Sequence, residues 1–193
     1  MKDKKYIISI DTGTYESAYC VYNKETKQLA DKNYLPNIKC FEIFEKYFSE
    51  GEVDLFIIEL SQGTGAAAGM EMFMNCHFQG FYACLAKKYN VPVKLLLRKT
   101  VKYIICGAFR GVNDASINLM LREEYGEDYT KKGKKYNFYY NEEVISHGGR
   151  EYMQNDLWQA LGLIHAYLLE PDYKQKELSK IDIEYLNYIE NLN

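Results

Sequence analysis

Residues 5–14 read Lys5-Tyr-Ile-Ile-Ser-Ile-Asp-Thr-Gly-Thr14: an apolar, β-branched run that stops at one acid, Asp11, with a glycine two residues later. A second strand-like run begins near Glu16, so the segment predicts strand, terminal acid, tight turn, strand. Such a hairpin carries a carboxylate out of a buried sheet and leaves it at the rim. An acid withdrawn from water without a partner is costly, so its placement asks for a reason. A metal ion is one, a phosphate-binding loop a second, and a plain hairpin with Asp in its turn a third.

Downstream, Glu16–Asn23 predicts the antiparallel neighbour of the first strand. Glu25-Thr-Lys27 is a polar turn into a third strand, Gln28–Tyr34, and Pro36 breaks the pattern. Lys39–Phe48 places apolar residues on one helical face, closed by Glu50-Gly51. Leu55-Phe-Ile-Ile58 then repeats the opening theme, a buried strand ending in an acid, Glu59. The flexible loop Ser61–Gly65 leads to a long helix over Ala66–Tyr89, a strand over Val91–Leu97 and a short helix over Thr100–Gly107. Asn113-Asp114 can cap a further helix that ends at Gly126. Residues 127–141 are polar and basic and read as an exposed loop with a marginal strand at Tyr136–Tyr140. Arg150–Leu169 is a strong helix ended by Pro171. Strands joined by helical crossovers are parallel, whereas the first three form a meander. The expected fold is α/β: a mixed five-stranded sheet, a three-stranded antiparallel meander plus parallel strands, flanked by helices.

The 193 residues suit a single domain over 1–193, with 170–193 a charged C-terminal helix or tail. At 47% hydrophobic and 26% charged the balance is that of an ordinary globular protein. No transmembrane span and no signal-peptide pattern is expected, and the five widely spaced Cys read as reduced thiols in a cytoplasmic protein. The three His do not lie near Cys pairs, which argues against zinc. Net charge is −3, yet between Met72 and Asn113 there is no Asp or Glu, while Lys87, Lys88, Lys94, Arg98, Lys99, Lys102 and Arg110 fall there. This asymmetry suggests a basic face for a polyanion; the alternative is a solvated surface balanced by the acid-rich tail.

If the strands ending at Asp11 and Glu59 are parallel neighbours, both carboxylates emerge at one edge of the sheet, where ligand sites of such sheets lie. Asp156, in Gln154-Asn-Asp-Leu-Trp-Gln-Ala160, sits at the edge of an apolar helical stripe and could join them. Three clustered acids raise one another's pKa unless a cation lies among them, and oxygen ligands favour Mg²⁺ or Mn²⁺. Two such ions can act on a phosphodiester.

On these residues the chain resembles the RuvC-like Holliday junction resolvases of the RNase H-like superfamily, particularly the phage-type members. The resemblance covers about Ile7 to Leu168. It rests on Ile8-Ser-Ile-Asp11-Thr-Gly13, on Phe56-Ile-Ile-Glu59, and on Val93–Gly107 with Lys99 and Lys102. Gly111–Ile117 leading to Tyr125-Gly126, and Asn155-Asp156 followed by Ala160, complete it. It implies metal-dependent cleavage of four-way or other branched DNA by a homodimer, in a bacterial or phage-infected cell. Asp11, Glu59 and Asp156 match the catalytic, metal-binding acids. The family usually has an acid or His one helical turn before the last Asp; here that position is Met153, and Glu151 or His147 are the nearby candidates to complete the metal site. Lys99, Lys102 and Arg110 could steady scissile phosphates, with Lys94 and Arg98 adding to the basic stretch. Ser61 and Gln62 open the loop that the family places against DNA.

Competing readings stay open. Asp11-Thr-Gly-Thr14 also resembles the first phosphate loop of actin- and sugar-kinase-like ATPases, but those proteins need two such domains and no second Asp-x-Gly loop follows. A nuclease acting on flaps or RNA–DNA hybrids, or a junction-binding protein that has lost its chemistry, shares the same core. Met70, Met72, Phe73, Met74, Phe78 and Phe81 form an apolar stripe expected to pack mostly in the core, with a dimer interface taking the remainder. Trp158 and His165 are expected to be packing residues.

Overall fold

The computed structural model describes residues 4–61, 69–108, 110–125, 127–130, 135–140, 143–146 and 155–173, with backbone only between 123 and 155. The opening strand, β1 (Tyr6–Asp11), is central. It pairs antiparallel with β2 (Glu16–Asn23), which pairs antiparallel with β3 (Gln28–Pro36). After helix α1 (Asn37–Ser49) the chain adds β4 (Val53–Leu60) parallel to β1. After α2 (Met70–Lys88) it adds β5 (Val93–Leu97) parallel to β4. The strand order β3-β2-β1-β4-β5 is the mixed five-stranded sheet the sequence predicts. Three helices follow on the other side of the chain order: α3 (Arg98–Cys106), α4 (Asp114–Tyr125) and α5 (Asn155–Leu169).

Alternation along the strands sorts side chains to two faces. Ile8 and Ile10 of β1 and Phe56 and Ile58 of β4 pack with Phe44 and Phe48 of α1 and with Tyr82 and Leu85 of α2. Ile7 and Ile57 point the other way, into a cluster built on α5 with Val101, Ile105, Ile117 and Leu121. α5 is apolar nearly all round, and Leu157, Trp158, Ala160, Leu161, Leu163, Ile164 and Ala166 are all buried, as a helix wrapped by neighbours requires. Gly162 lets α4 approach: a Cβ there would lie 3.3 Å from the Ile117 side chain.

Two expectations are corrected. The segment expected as an exposed loop over 127–141, with a marginal strand at Tyr136–Tyr140, holds that strand as β7 (Lys135–Tyr140), but β6 (Glu127–Thr130) and β8 (Glu143–Ser146), which the sequence reading lacks, join it in a second, three-stranded antiparallel sheet. β6 and β8 are four residues each, at the lower limit of length for a strand pattern. The Met/Phe stripe of α2 is not mainly core. Met70 and Phe73 are exposed, as is Phe81, while Gln79, Tyr82, Leu85 and Ala86 face the sheet and Phe78 packs at its edge. α2 meets the sheet through its C-terminal half, so hydrophobic character near its start does not predict burial. The cysteines are all free, but Cys76 and Cys84 are exposed whereas Cys20 and Cys40 are buried. Among the described residues no helix is long and apolar enough to cross a membrane.

Candidate functional site

Parallel pairing aligns Ser9 with Ile57 and Ile10 with Ile58, so the next step along both strands sets Asp11 beside Glu59. Both belong to the face covered by α5, because Ile7 and Ile57 lie there. Ser9 Oγ donates to the carbonyl of Ala160 at 2.7 Å and ties β1 to α5. Two residues on from Ser9 is Asp11, and one helical turn back from Ala160 is Asp156. The three acids expected from the sequence therefore come from two adjacent strands and the first turn of α5.

The electrostatics agree with that convergence. Burial holds the Asp11 carboxyl well above its ordinary value; the charge of Glu59 adds to this, Arg98 opposes it and Asp156 adds again. Glu59 is also raised by burial, against the pull of Arg98. Arg98 is the first residue of α3, immediately after β5, which pairs with β4. Its Nη1 donates to both Glu59 oxygens, at 2.9 and 2.8 Å. Its Nη2 lies 2.7 Å from Asp114 Oδ2, and Nε donates to Asp114 Oδ1 at 3.2 Å. Burial disfavours the guanidinium, but Glu59 and Asp114 more than compensate and keep it protonated. The two acids respond differently to this shared cation. The Glu59 side chain is 13% exposed and burial wins; that of Asp114 is 41% exposed, and Arg98 draws it below the ordinary carboxylate value despite its burial cost.

Asp114 is the site residue that sequence reasoning misses, because in the sequence it belongs to a helix-cap pattern. The cap itself is made by Asn113, whose Oδ1 accepts from the Ser116 N–H at 3.1 Å. That frees the Asp114 carboxylate to face Arg98 and, at 3.6 Å, Lys102 Nζ. No local signal pairs Arg98 with two acids 39 and 16 residues away.

The turn after Asp11 is held from below by Asn37, another residue without a sequence signal. Asn37 is buried, donates from Nδ2 to the carbonyls of Gly13 (3.0 Å) and Thr14 (3.3 Å), and pairs through Oδ1 with the Ser17 hydroxyl. Tyr82 OH donates to the Asn37 carbonyl and Oδ1, both at 3.2 Å. Thr14 Oγ1 donates to Asn75 Oδ1 at 3.1 Å, joining the turn to α2. Gly13 is required here by close approach, since a Cβ would lie 2.2 Å from the Glu16 carbonyl oxygen. Gly13→Ala is expected to push the turn apart at a cost of about 1–3 kcal/mol, the range for forcing extra volume into packed structure. Urea unfolding checks it, and an unchanged midpoint would show that the turn yields freely.

The remaining predicted residues fall as follows. Lys102 pairs with Asp114, and Arg98 with Glu59 and Asp114, so neither presents an uncommitted charge to phosphate in this arrangement. Lys94 Nζ donates to the Pro171 carbonyl at 2.9 Å, beyond the C-terminal end of α5 and away from Asp156. Arg110 is exposed and Lys99 half-buried. Ser61 is held by Gln79, whose Nε2 donates to Ser61 Oγ at 2.8 Å and to the Glu59 carbonyl at 2.9 Å. Gln62, His147, Glu151 and Met153 lie outside the described residues.

Whether these residues suit a divalent ion is decided by their chemistry and their charge. The donors are all carboxylate oxygens, the set that hard divalent ions take. Among the described residues, however, no group of three or more Asp, Glu, His or Cys is drawn together closely enough to hold an ion. The cation now in contact is Arg98. The acids match an ion in donor type and in the face they share, while Glu59 is paired with Arg98.

A mixed sheet in this order with helices on its faces is an RNase H-like fold. Two solved structures share it. A RuvC structure from Thermus thermophilus superposes with a TM-score of 0.61 at 12% identity, covering 86% of this chain and 95% of that one. T. thermophilus RuvC in complex with a Holliday junction substrate superposes with a TM-score of 0.60 at 10% identity, covering 86% and 94%. No family model and no curated protein matches the chain. At these identities the likeness is one of fold.

Proposed function

We propose that this protein is a structure-selective endonuclease of the phage-type resolvase kind. It would cleave four-way or branched DNA as a homodimer in the cytoplasm of a bacterial or phage-infected cell. The observation that carries the proposal is the placement of Asp11 and Glu59 side by side on the α5 face, with Asp156 in the first turn of α5. Asp11, Glu59 and Asp156 would hold Mg²⁺ or Mn²⁺, two ions in the full site, with Glu151 or His147 as the further ligand. Bound there, such ions would supply a lowered water pKa and charge stabilisation for the departing oxygen of a phosphodiester. The chain's own part is to hold the acids rigidly: Ser9 fixes β1 against α5, Asn37 fixes the turn after Asp11, and Gln79 fixes the end of β4. Lys99 and Arg110 would meet the phosphate backbone, joined by Lys102, Lys94 and Arg98 where their present contacts release them, and by Ser61 and Gln62 in the loop after Glu59.

Incubation with synthetic four-way junctions and Mg²⁺ or Mn²⁺ tests this. Paired, symmetric nicks in junctions but not in linear duplex are expected. Preferential cutting of flaps or RNA–DNA hybrids would reassign the substrate. The bidentate hold of Arg98 on Glu59 favours one second reading, a junction-binding protein without catalysis. Tight junction binding with no cleavage in either metal would select it. Binding should also weaken with salt, with a slope of log K against log salt of about −0.9 per phosphate neutralised. A flat response would remove the basic face from the account.

A further inference from the structure

The Arg98 guanidinium sits where the acidic site would otherwise need an external cation. It spans a mostly buried carboxylate, Glu59, and a more exposed one, Asp114, using three of its nitrogens. A planar fork of this kind holds carboxylates more firmly than a point charge does. The same contacts define what must happen when a divalent ion binds. Glu59 has both oxygens on one nitrogen of Arg98, so an ion that takes that carboxylate must compete with the guanidinium for it. Asp114 already holds the other edge of the fork, through Nε and Nη2, and Lys102 lies beside it. The released arginine therefore keeps one of its two partners and is not stranded as an unpaired buried charge.

We propose that Arg98 is the resident cation of this site, exchanging with a divalent ion at Glu59, and that Asp114 is the carboxylate that retains Arg98 during the exchange. Arg98 is thus a positioning residue that sets metal affinity. This rests on the reading of Asp11, Glu59 and Asp156 as metal ligands. It gives that site a built-in competitor: Glu59 and Asp114 stay paired without metal, and ion binding is weakened by the strength of the arginine contact.

The test is Mn²⁺ binding by calorimetry at pH 8, where protons compete little for the carboxylates, together with thermal unfolding with and without Mn²⁺. Arg98→Met should melt lower than wild type without metal, because Glu59 loses its guanidinium partner and Asp114 keeps only Lys102. It should also bind Mn²⁺ at least tenfold more tightly and show the larger Mn²⁺-induced rise in melting temperature. Asp114→Asn should weaken Mn²⁺ binding several-fold in the wild-type background, since Arg98 then has Glu59 alone. It should have little effect in Arg98→Met, which makes a double-mutant cycle with a clear coupling. If Arg98→Met does not fold, Arg98→Lys carries the test: a single ammonium releases Glu59 more readily, and Mn²⁺ affinity should still rise. Wild type binding Mn²⁺ with neither Arg98 variant binding more tightly would overturn the exchange while leaving the metal site standing. No Mn²⁺ binding by wild type or by any variant would overturn both.

Discussion

Asp11→Asn is expected to abolish junction nicking, leave junction binding within about threefold of wild type, and raise the stability of the metal-free protein. The first effect follows from removing one carboxylate of the proposed metal site. Loss of even an outer-shell partner of a metal site typically costs about 10–100-fold, so a ligand should cost about 10²-fold or more. The third effect runs opposite to ordinary mutational damage and follows from burial. Asp11 is desolvated and lies near Glu59 and Asp156, which holds its pKa well above the ordinary value. The unfolded chain ionises Asp11 near 3.8, whereas the folded chain retains the proton to higher pH. Between those two points the folded state binds more protons, so stability falls as pH rises through the window. An amide of the same shape has no charge to desolvate. Urea midpoints measured from pH 4 upward should therefore decline less steeply in Asp11→Asn than in wild type. Full cleavage by the variant would remove Asp11 from the catalytic site. An unchanged pH slope would contradict its burial.

Phe44→Ala is expected to destabilise the protein by about 3–5 kcal/mol, the usual cost of truncating a buried aromatic ring. Phe44 is fully buried between α1 and the sheet. Its ring packs edge-on against Tyr19 at 5.4 Å and Tyr82 at 5.5 Å, is tilted on Phe56 at 5.1 Å and stacks on Phe48 at 6.1 Å. Four rings lose a neighbour together, and a rigid sheet beneath them allows little collapse into the space. For a chain of this size the melting temperature should fall by roughly 6–20 °C. Tyr82 also donates to Asn37, which holds the Gly13–Thr14 turn, so nicking should weaken even at temperatures where the variant is folded. A loss below about 1 kcal/mol would mean that the core repacks freely, contrary to what close packing implies.

Much of the sheet was legible because its signals are local. Strand alternation, the polar turn at Glu25-Thr-Lys27 and the apolar run before Glu59 each depend on neighbouring residues, and β1, β2, β4 and β5 fall close to their predicted bounds. Where a local signal was ambiguous, the reading failed. The short strands β6 and β8 went unread although β7 was expected, and the Met/Phe-rich start of α2 looked like core although Met70 and Phe73 are exposed. In the site, Asp11 and Glu59 were legible because each ends an apolar run. Asn37 and Asp114 were not, because an asparagine after a proline and an aspartate in a helix-start motif have ordinary local explanations. Arg98 was visible only as one of seven positive charges, with nothing to separate it from those facing solvent.

By itself, then, the sequence determined the order of the strands and helices of the five-stranded mixed sheet. It also determined that two buried strands each bring an acid to their C-terminal ends, since periodicity and crossover length are short-range constraints. The tertiary structure decided which of the charges meet. Parallel register put Asp11 beside Glu59, the docking of α5 through Ser9 and Ala160 brought Asp156 to the same face, and the start of α3 at the end of β5 delivered Arg98 onto Glu59 and Asp114. Electrostatic contacts depend on distances of a few ångströms between residues far apart in the chain. Packing sets those distances, and no local pattern encodes them.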